Sequence, residues 1–200
     1  MEIRKVITGM LETNCYIVSE NGQACVIDPG GDADKILSAL EGFVTDKIIL
    51  THGHFDHFMA AEELKKATNA KIYISEKDAH MLTDYRKSLY DMLGIGSDGF
   101  KSVEFDCLLE SKIEICGETF EVIETAGHSD GSICLLKDKI LFSGDTLFSG
   151  SIGRYDHGSY DEIMSSLWKL MLLDDDVNVL PGHGGVTTIG QERKTNPFLR

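Results

Sequence analysis

The feature that most constrains this chain is a cluster of histidines placed directly after a short apolar segment. Residues 47–50 read Lys-Ile-Ile-Leu, and residues 51–57 read Thr-His-Gly-His-Phe-Asp-His. Four of these side chains are of types that bind metals, namely His52, His54, Asp56 and His57. They cannot all lie on one face of a helix or strand, but they can converge if the chain loops around a metal, and Gly53 makes that turn easier. The segment therefore predicts a metal-binding loop at the end of a buried strand.

Three further segments share one pattern, an apolar strand followed by a glycine and then by a potential ligand. They are residues 122–128, 140–145 and 177–183, and their potential ligands are His128, Asp145 and His183. Each ligand is expected at the carboxyl end of a strand, where open α/β sheets place their binding sites. One such segment alone is typical of an ordinary turn. Three of them beside the histidine cluster predict a single shared site.

Strand and helix patterns alternate along the rest of the chain. Three strands are predicted within the first thirty residues and three more between residues 113 and 142. The clearest helix covers residues 159–171, with Ser159 and Glu162 spaced as a capping box at its start. Runs of strands with interspersed helices predict a mixed α/β layered sandwich. No repeat or linker interrupts the chain, so residues 1–200 are expected to form a single domain.

Charge and composition exclude several kinds of partner. The chain has 200 residues, with 19 Lys and Arg against 33 Asp and Glu, for a formal net charge of −14 at pH 7. Such a surface repels a phosphate backbone, so we expect no nucleic-acid partner. No apolar run approaches the ~20 residues that span a bilayer, and the N-terminus lacks an apolar signal core. The five cysteines are scattered and odd in number. We therefore expect reduced thiols, a cytoplasmic location and no membrane partner.

In this order, the motifs resemble those of the metallo-β-lactamase superfamily, in the branch similar to glyoxalase II. The matching features are the H-x-H-x-D-H cluster, a distant Gly-His, a Gly-Asp-Thr-Leu-Phe segment and a final Pro-Gly-His, which together span residues 28–183. The resemblance implies a four-layer αβ/βα sandwich with metals at one edge. The chain is similar to short bacterial members of this branch. Because it stops at Arg200, it is expected to lack the helical C-terminal domain of the longer type.

The resemblance also implies a role for each candidate ligand. It implies one metal site made by His52, His54 and His128, a second made by Asp56, His57 and His183, and Asp145 as a bridge between them. Two divalent ions are expected, with zinc preferred and iron or manganese as alternatives. Asp28 resembles the family carboxylate that orients a ligand histidine. A second role, capping of the turn that it begins, is compatible with the first.

Substrate contacts are expected from two other segments. Residues 153–156 align with a Gly-Lys-Phe-Tyr segment of the family, so Arg154 and Tyr155 are predicted to bind substrate, while Asp156 replaces the family tyrosine. The alternative role for Arg154 is an ion pair with Asp156. Residues 82–107 lack a clean periodicity and are interpreted either as a lid over the metals or as a packed helical excursion.

The implied chemistry is hydrolysis. A hydroxide shared by two metals is available at neutral pH and attacks a carbonyl, with Asp56 and Asp145 as the catalytic carboxylates. A thiolate leaves readily, so the site suits a thioester and needs no Ser or Cys nucleophile. The sequence thus predicts a binuclear metal-dependent hydrolase, a thioesterase of glyoxalase II type. Its expected partner is a small-molecule thioester, such as S-lactoylglutathione or a related S-acyl thiol, and no oligomeric state is predicted.

Two alternatives stay open at this point. The first is a persulfide dioxygenase with a single iron held by the residues corresponding to His52, His128 and Asp145, because two histidines and a carboxylate form an open site for O₂. The second is a hydrolase of another ester or a lactone. Antibiotic hydrolysis is disfavoured, since the β-lactam hydrolases of this fold commonly carry a cysteine where this chain has Asp145.

Overall fold

Two six-stranded β-sheets form the centre of the protein. The structure is a computed structural model, and it describes residues 1–155 and 159–199. The first sheet consists of β1 (Glu2–Thr8), β2 (Thr13–Glu20), β3 (Gln23–Ile27), β4 (Val44–Ile49), β5 (Lys71–Ile74) and β6 (Cys107–Leu108). These strands lie in sequence order. The pairs β1–β2 and β2–β3 are antiparallel, and the pairs from β3 to β6 are parallel. The carboxyl ends of β3 and β4 therefore lie at the same edge.

The second sheet is assembled mostly from hairpins. Its strands are β7 (Lys112–Ile115), β8 (Glu118–Glu124), β9 (Ile133–Lys137), β10 (Ile140–Gly144), β13 (Asn178–Pro181) and β14 (Thr187–Thr188), while β11 (Leu147–Phe148) and β12 (Ser151–Ile152) form a separate hairpin. The order is β14-β13-β10-β9-β8-β7, with β10 and β13 parallel. Four strands cover the region in which the sequence predicted three. The difference arises at Cys116 and Gly117, whose positive φ angles of 52° and 85° close a two-residue hairpin turn.

Four helices cover the sheets. They are α1 (Ala33–Ala39), α2 (Ala61–Thr68), α3 (Tyr160–Leu170) and α4 (Ile189–Thr195). The predicted capping box is confirmed at α3, where the Glu162 backbone N–H donates to Ser159 Oγ and the Ser159 N–H donates to the Glu162 carboxylate, both at 3.1 Å. None of the helices in the described part of the chain is long and apolar enough to cross a membrane.

Three apolar layers separate the helices and sheets. In the first, Ile36 of α1 and Leu64 of α2 pack against the first sheet. In the second, Ile27 and Ile49 of the first sheet meet Phe120, Phe142 and their neighbours in the second sheet. The third layer lies between the second sheet and helices α3 and α4. The predicted four-layer αβ/βα sandwich is thereby confirmed.

The two sheets are joined at the edge where the ligand-bearing loops emerge. The Asn14 N–H on β2 donates to the Gly182 carbonyl at 2.7 Å, and the Asn14 side chain donates to the Pro181 carbonyl at 2.9 Å. Tyr16 Oη also donates to the Pro181 carbonyl, at 2.8 Å. Loops after β4, β8, β10 and β13 therefore meet at one side of the sandwich.

Candidate metal centre

Three of the predicted ligands form a buried group of histidines, here called the all-histidine group. His52 and His54 lie in the loop after β4, and His128 lies in the loop between β8 and β9. A ring nitrogen from each lies within 4.8 Å of the other two. The His54 Nδ1 and His128 Nε2 atoms are 2.9 Å apart, and all three side chains are buried. Such a set of three imidazoles can hold one divalent transition metal.

A second group, here called the mixed group, combines Asp56, His57 and His183. Asp56 and His57 lie in the 3₁₀ turn Phe55–His57, and His183 follows β13. The Asp56 Oδ2 atom lies 3.1 Å from His183 Nε2 and 3.5 Å from His57 Nε2. Their ligand atoms also fall within 4.8 Å of one another, so this group can hold a second cation.

Asp145 lies between the two groups. Its Oδ1 atom is 3.4 Å from His57 Nε2, and its Oδ2 atom is 3.5 Å from His128 Nε2 and 3.6 Å from His183 Nε2. The glycine before His183 makes room for this carboxylate, because a Cβ on Gly182 would lie 2.2 Å from Asp145 Oδ1. The structure therefore brings all seven sequence-predicted ligands to one place.

The atoms at the centre fit a bound metal. Buried His52 Nε2, His57 Nε2 and Asp145 Oδ1 make no hydrogen bond within the described protein. A buried polar atom without a partner costs about 1–3 kcal/mol, and three around one point would be hard to sustain. Cations would satisfy all three at once. Mixed nitrogen and carboxylate donors are those that zinc and iron accept.

The outward-facing ring nitrogens are held by the surrounding protein. His57 Nδ1 lies 3.0 Å from Asp28 Oδ2, His128 Nδ1 lies 2.7 Å from the Arg154 carbonyl, and His183 Nδ1 lies 3.1 Å from the Leu11 carbonyl. At His128 and His183, an Nδ1–H that donates to the backbone carbonyl leaves Nε2 unprotonated and directed at the centre. This is the arrangement that orients metal-binding histidines. His57 Nδ1 lies close to the Asp28 carboxylate but does not have hydrogen-bond geometry.

Asp28 was predicted to orient a ligand histidine, and the structure places it in contact with one. It follows β3 with a positive φ of 53° and is buried. Besides its approach to His57, its carboxylate accepts the Thr51 backbone N–H at 2.8 Å and the Thr51 hydroxyl at 2.7 Å. The same side chain thus holds both the ring of His57 and the start of the ligand loop.

Asp78 is a residue that sequence reasoning missed. Its carboxylate is completely buried and accepts the Gly53 N–H at 2.9 Å, the Gly131 N–H at 2.7 Å and the Ser129 hydroxyl at 2.6 Å. Gly53 separates two predicted ligands, and Ser129 follows a third. Asp78 therefore fastens together the two loops that carry the all-histidine group. No local pattern around residue 78 indicates this role.

The electrostatics of the two groups are opposite. Burial, and then the neighbouring His128, lower the pKa of His54 to about 3, and burial together with the other histidines lowers the pKa of His52. Burial also acts to lower the pKa of His57, but the carboxylates of Asp145 and Asp56 outweigh it and raise that pKa. Burial therefore favours the neutral imidazole at His52 and His54, whereas the carboxylates favour the charged imidazolium at His57.

A cavity of about 440 Å³ opens onto the centre. His54, Asp56, His128, Asp145 and His183 all form part of its wall. The predicted substrate residue Arg154 also lines this cavity. Tyr155 is not among the lining residues, and its ring packs against the Tyr160 ring with centroids 5.5 Å apart. Asp156, the alternative partner of Arg154, lies outside the described residues.

Residues 82–107 form a packed segment beside the site. It contains the 3₁₀ turn Tyr90–Leu93, and the 3₁₀ turn Ala79–Thr83 overlaps its start. Leu82, Tyr90 and Val103 are buried in the first apolar layer. The segment also contributes Leu89, Met92 and Leu93 to the cavity wall. It is therefore a packed excursion, as one of the two interpretations had it, and it also forms one side of the cavity.

Several known proteins are similar to this chain over nearly its whole length. The chain is 34% identical over 216 residues to hydroxyacylglutathione hydrolase GloC from Haemophilus influenzae, covering 100% of this chain and 98% of that protein. The crystal structure of BLEG-1 B3 metallo-beta-lactamase superposes with a TM-score of 0.93 at 34% identity, covering 99% of each chain. The structure of TTHA1623 in a di-iron-bound form superposes with a TM-score of 0.87 at 33% identity, covering 98% of this chain and 100% of that one.

The family assignment rests on sequence as well as on shape. The sequence pattern of the metallo-beta-lactamase superfamily matches residues 8–183, a stretch that contains all seven predicted ligands. The fold and the cluster of His and Asp side chains match those of hydrolases in this superfamily. The chain belongs to the metallo-beta-lactamase superfamily.

Proposed function

We propose that this protein is a binuclear metal-dependent thioesterase of glyoxalase II type. Its substrate would be an S-acyl thiol such as S-lactoylglutathione or a related thioester. The observation that carries the proposal is the position of Asp145, whose two carboxylate oxygens approach histidines of both groups within 3.4 to 3.6 Å. The single-iron alternative would use Asp145 only together with His52 and His128, so it assigns no role to the approach of Asp145 to His57 and His183. The name of the Haemophilus influenzae relative supports the choice of substrate class.

The chain's own residues have distinct roles in this proposal. The all-histidine group would hold one metal and the mixed group the other, with Asp145 placed between the two groups. We propose zinc, with iron as the first alternative because of the di-iron-bound neighbour and manganese as the second. Divalent metals bound here would supply a nucleophile at neutral pH and polarise the carbonyl of the substrate. Asp56 and Asp145 act as the catalytic carboxylates, because both line the cavity beside these groups.

The cavity wall suits cleavage of a thioester. The residues that line it include neither a serine nor a cysteine, so we assign no covalent nucleophile among the described residues. A thiolate leaves without assistance from a protonated group. Arg154 lies on the wall and is proposed to bind an anionic part of the thiol, while Tyr155 remains a weaker candidate for contact with substrate. All five cysteines are free, which is in keeping with the proposed cytoplasmic location.

Metal analysis combined with parallel activity assays tests the proposal. Protein purified without added metal is expected to contain two metal ions per chain and to hydrolyse S-lactoylglutathione. A β-lactam substrate belongs in the same experiment, because BLEG-1 is described as a B3 metallo-beta-lactamase. A single iron with O₂ consumption on a persulfide would assign the protein to the dioxygenase class instead. Preferential turnover of the β-lactam would replace the thioesterase proposal.

Asp145→Asn tests the two-metal arrangement directly. The amide keeps the size of the side chain but loses the charge shared between the two groups. We expect metal content to fall at both groups and turnover to fall by at least a hundredfold, because ligand loss weakens metal binding and the reaction together. Loss of one metal only, with the other retained at wild-type affinity, would contradict the bridging position.

A further inference from the structure

Part of the wall of the cavity at the metal centre is apolar. Five of its lining residues are apolar and lie outside the buried core, namely Leu11, Leu89, Met92, Leu93 and Phe148. We refer to these five residues as the apolar wall. Arg154 is the one Lys or Arg side chain among the described lining residues. Most of the surface that a substrate would meet beyond the ligands is therefore aliphatic or aromatic.

The apolar wall is partly exposed and adjoins the candidate ligands. Leu11 is 47% exposed and Met92 is 56% exposed, although both are large apolar side chains. The Phe148 ring centroid lies 6.2 Å from that of His183. Clustered apolar side chains that stay in water at the rim of a polar site mark a place where a ligand covers them. A group bound against this wall would thus lie next to the reacting bond.

Leu89 occupies a backbone conformation that a leucine rarely adopts. Its φ is +65°, in the left-handed region where only glycine is free of strain. Hydrogen bonds on both sides hold it there, since the Phe55 N–H donates to the Ser88 carbonyl at 2.9 Å and the Met92 N–H donates to the Leu89 carbonyl at 3.1 Å. Strained residues of this kind cluster at functional sites.

The Leu89 side chain also separates two cavities. It lines the 440 Å³ cavity and an adjacent one of about 370 Å³, whose wall includes Arg86 and Lys87. Glycine at this position would relieve the strain but would remove the partition. Leu89 therefore lines both cavities from a strained backbone position.

We propose that the acyl group of the substrate is aliphatic and that the apolar wall, with Leu89 at its centre, selects it. This inference rests on the proposed thioesterase function and narrows it. An aliphatic chain laid against Leu89, Met92 and Phe148 leaves water and gains contact area. The hydroxyl of a lactoyl group would lose its water there and find no donor or acceptor on these side chains. The protein is thus expected to prefer alkanoyl thioesters over hydroxyacyl thioesters.

The test compares thioesters that share one thiol. Acetyl, butyryl, hexanoyl and lactoyl thioesters of glutathione are assayed with the metal-loaded protein. We expect kcat/KM to rise about threefold per added methylene from acetyl to hexanoyl, and hexanoyl to exceed lactoyl by about tenfold or more. Binding is measured separately with S-hexylglutathione and S-methylglutathione, which carry no cleavable carbonyl. The hexyl compound is expected to bind at least tenfold more tightly.

Leu89→Gly is the variant that isolates the wall. It should weaken the dependence on acyl-chain length and lower the hexyl-to-methyl binding ratio several-fold, while the melting temperature stays equal or rises because the strain is removed. Asn69→Gly is the matched control. Asn69 also has a positive φ, of 62°, but it ends α2 away from the cavity, so its substrate profile should equal that of the wild type.

The outcomes separate the two proposals. Equal kcat/KM for hexanoyl and lactoyl thioesters in the wild type would overturn selection by the apolar wall and leave the thioesterase proposal intact. A Leu89→Gly variant that keeps the wild-type profile would also overturn it. Absence of hydrolysis for all four thioesters would overturn the thioesterase proposal. In that case, the binding ratio of the two thioethers still tests the wall by itself.

Discussion

The two candidate ligand groups lie side by side but are built differently. The all-histidine group consists of three buried imidazoles, and Asp78 fastens their loops together through backbone N–H groups. The mixed group contains a carboxylate, and its His183 is 27% exposed at the side chain. Here Asp28 contacts a ligand ring directly. An aspartate thus fastens the main chain of the loops in the first group, whereas in the second group an aspartate lies against a ligand ring.

This difference bears on how each group would bind a cation. Burial has already lowered the pKa of His52 and His54, so these rings hold no proton that a metal must displace. In the mixed group the carboxylates raise the pKa of His57 and attract a cation by charge. The first group therefore offers a cation ring nitrogens that are already unprotonated at His52 and His54, and the second group attracts a cation by the charge of its carboxylates. Asp145 couples the two, because it approaches both.

Removal of a ligand from the all-histidine group gives the largest expected effect. His52→Ala or His128→Ala should abolish activity, by a factor of at least a thousand, and should reduce metal content, because each deletes a donor from a buried three-membered set. Metal content per chain and turnover are measured on the same preparations. His80→Ala is the control, since His80 is exposed and contributes to neither group. Full metal content with normal turnover in either ligand variant would refute the site assignment.

The two supporting aspartates provide a crossed test of the comparison. Asp78→Asn should weaken metal binding at the all-histidine group by about ten- to a hundredfold and leave the mixed group less affected, because the amide NH₂ would face one of the two backbone N–H donors that the carboxylate accepts. Asp28→Asn should weaken the mixed group more strongly through His57, with a smaller effect at the all-histidine group through Thr51. Chelator competition, followed by metal-specific spectroscopy of each group, measures the two affinities. If both variants weaken the same group more strongly, the division into two separately supported groups is wrong.

The sequence predicted those parts of the site that depend on local spacing. The histidine cluster and the three strand–glycine–ligand segments are short patterns that place each ligand after the end of a strand. The two sheets meet at the edge where these loops emerge, so all seven ligand positions converge in the structure. The layered fold followed from the same alternation of strands and helices. The family resemblance predicted which of the seven residues belong to which metal site.

Other features depend on contacts that no local pattern records. Asp78 acts only because two loops distant in sequence meet at its carboxylate. The φ of Leu89 is set by hydrogen bonds of its neighbours, since leucine itself disfavours that conformation. The additional strand arises at Cys116, where a cysteine takes a turn conformation more typical of asparagine or glycine. In each case tertiary contacts override what the residue type alone predicts.

Arg154→Ala is expected to have the smallest effect, and it tests substrate recognition rather than metal binding. A charge-assisted hydrogen bond is worth about 1.5–3 kcal/mol when shielded from water, and less for an exposed side chain such as Arg154. KM should therefore rise several-fold, with metal content and melting temperature unchanged. The increase should be larger for an acidic acyl thiol than for a neutral thioester of similar size, because only the former loses a charged partner. Equal responses would make Arg154 structural and would direct the search for thiol contacts to Arg86 and Lys87 beside Leu89.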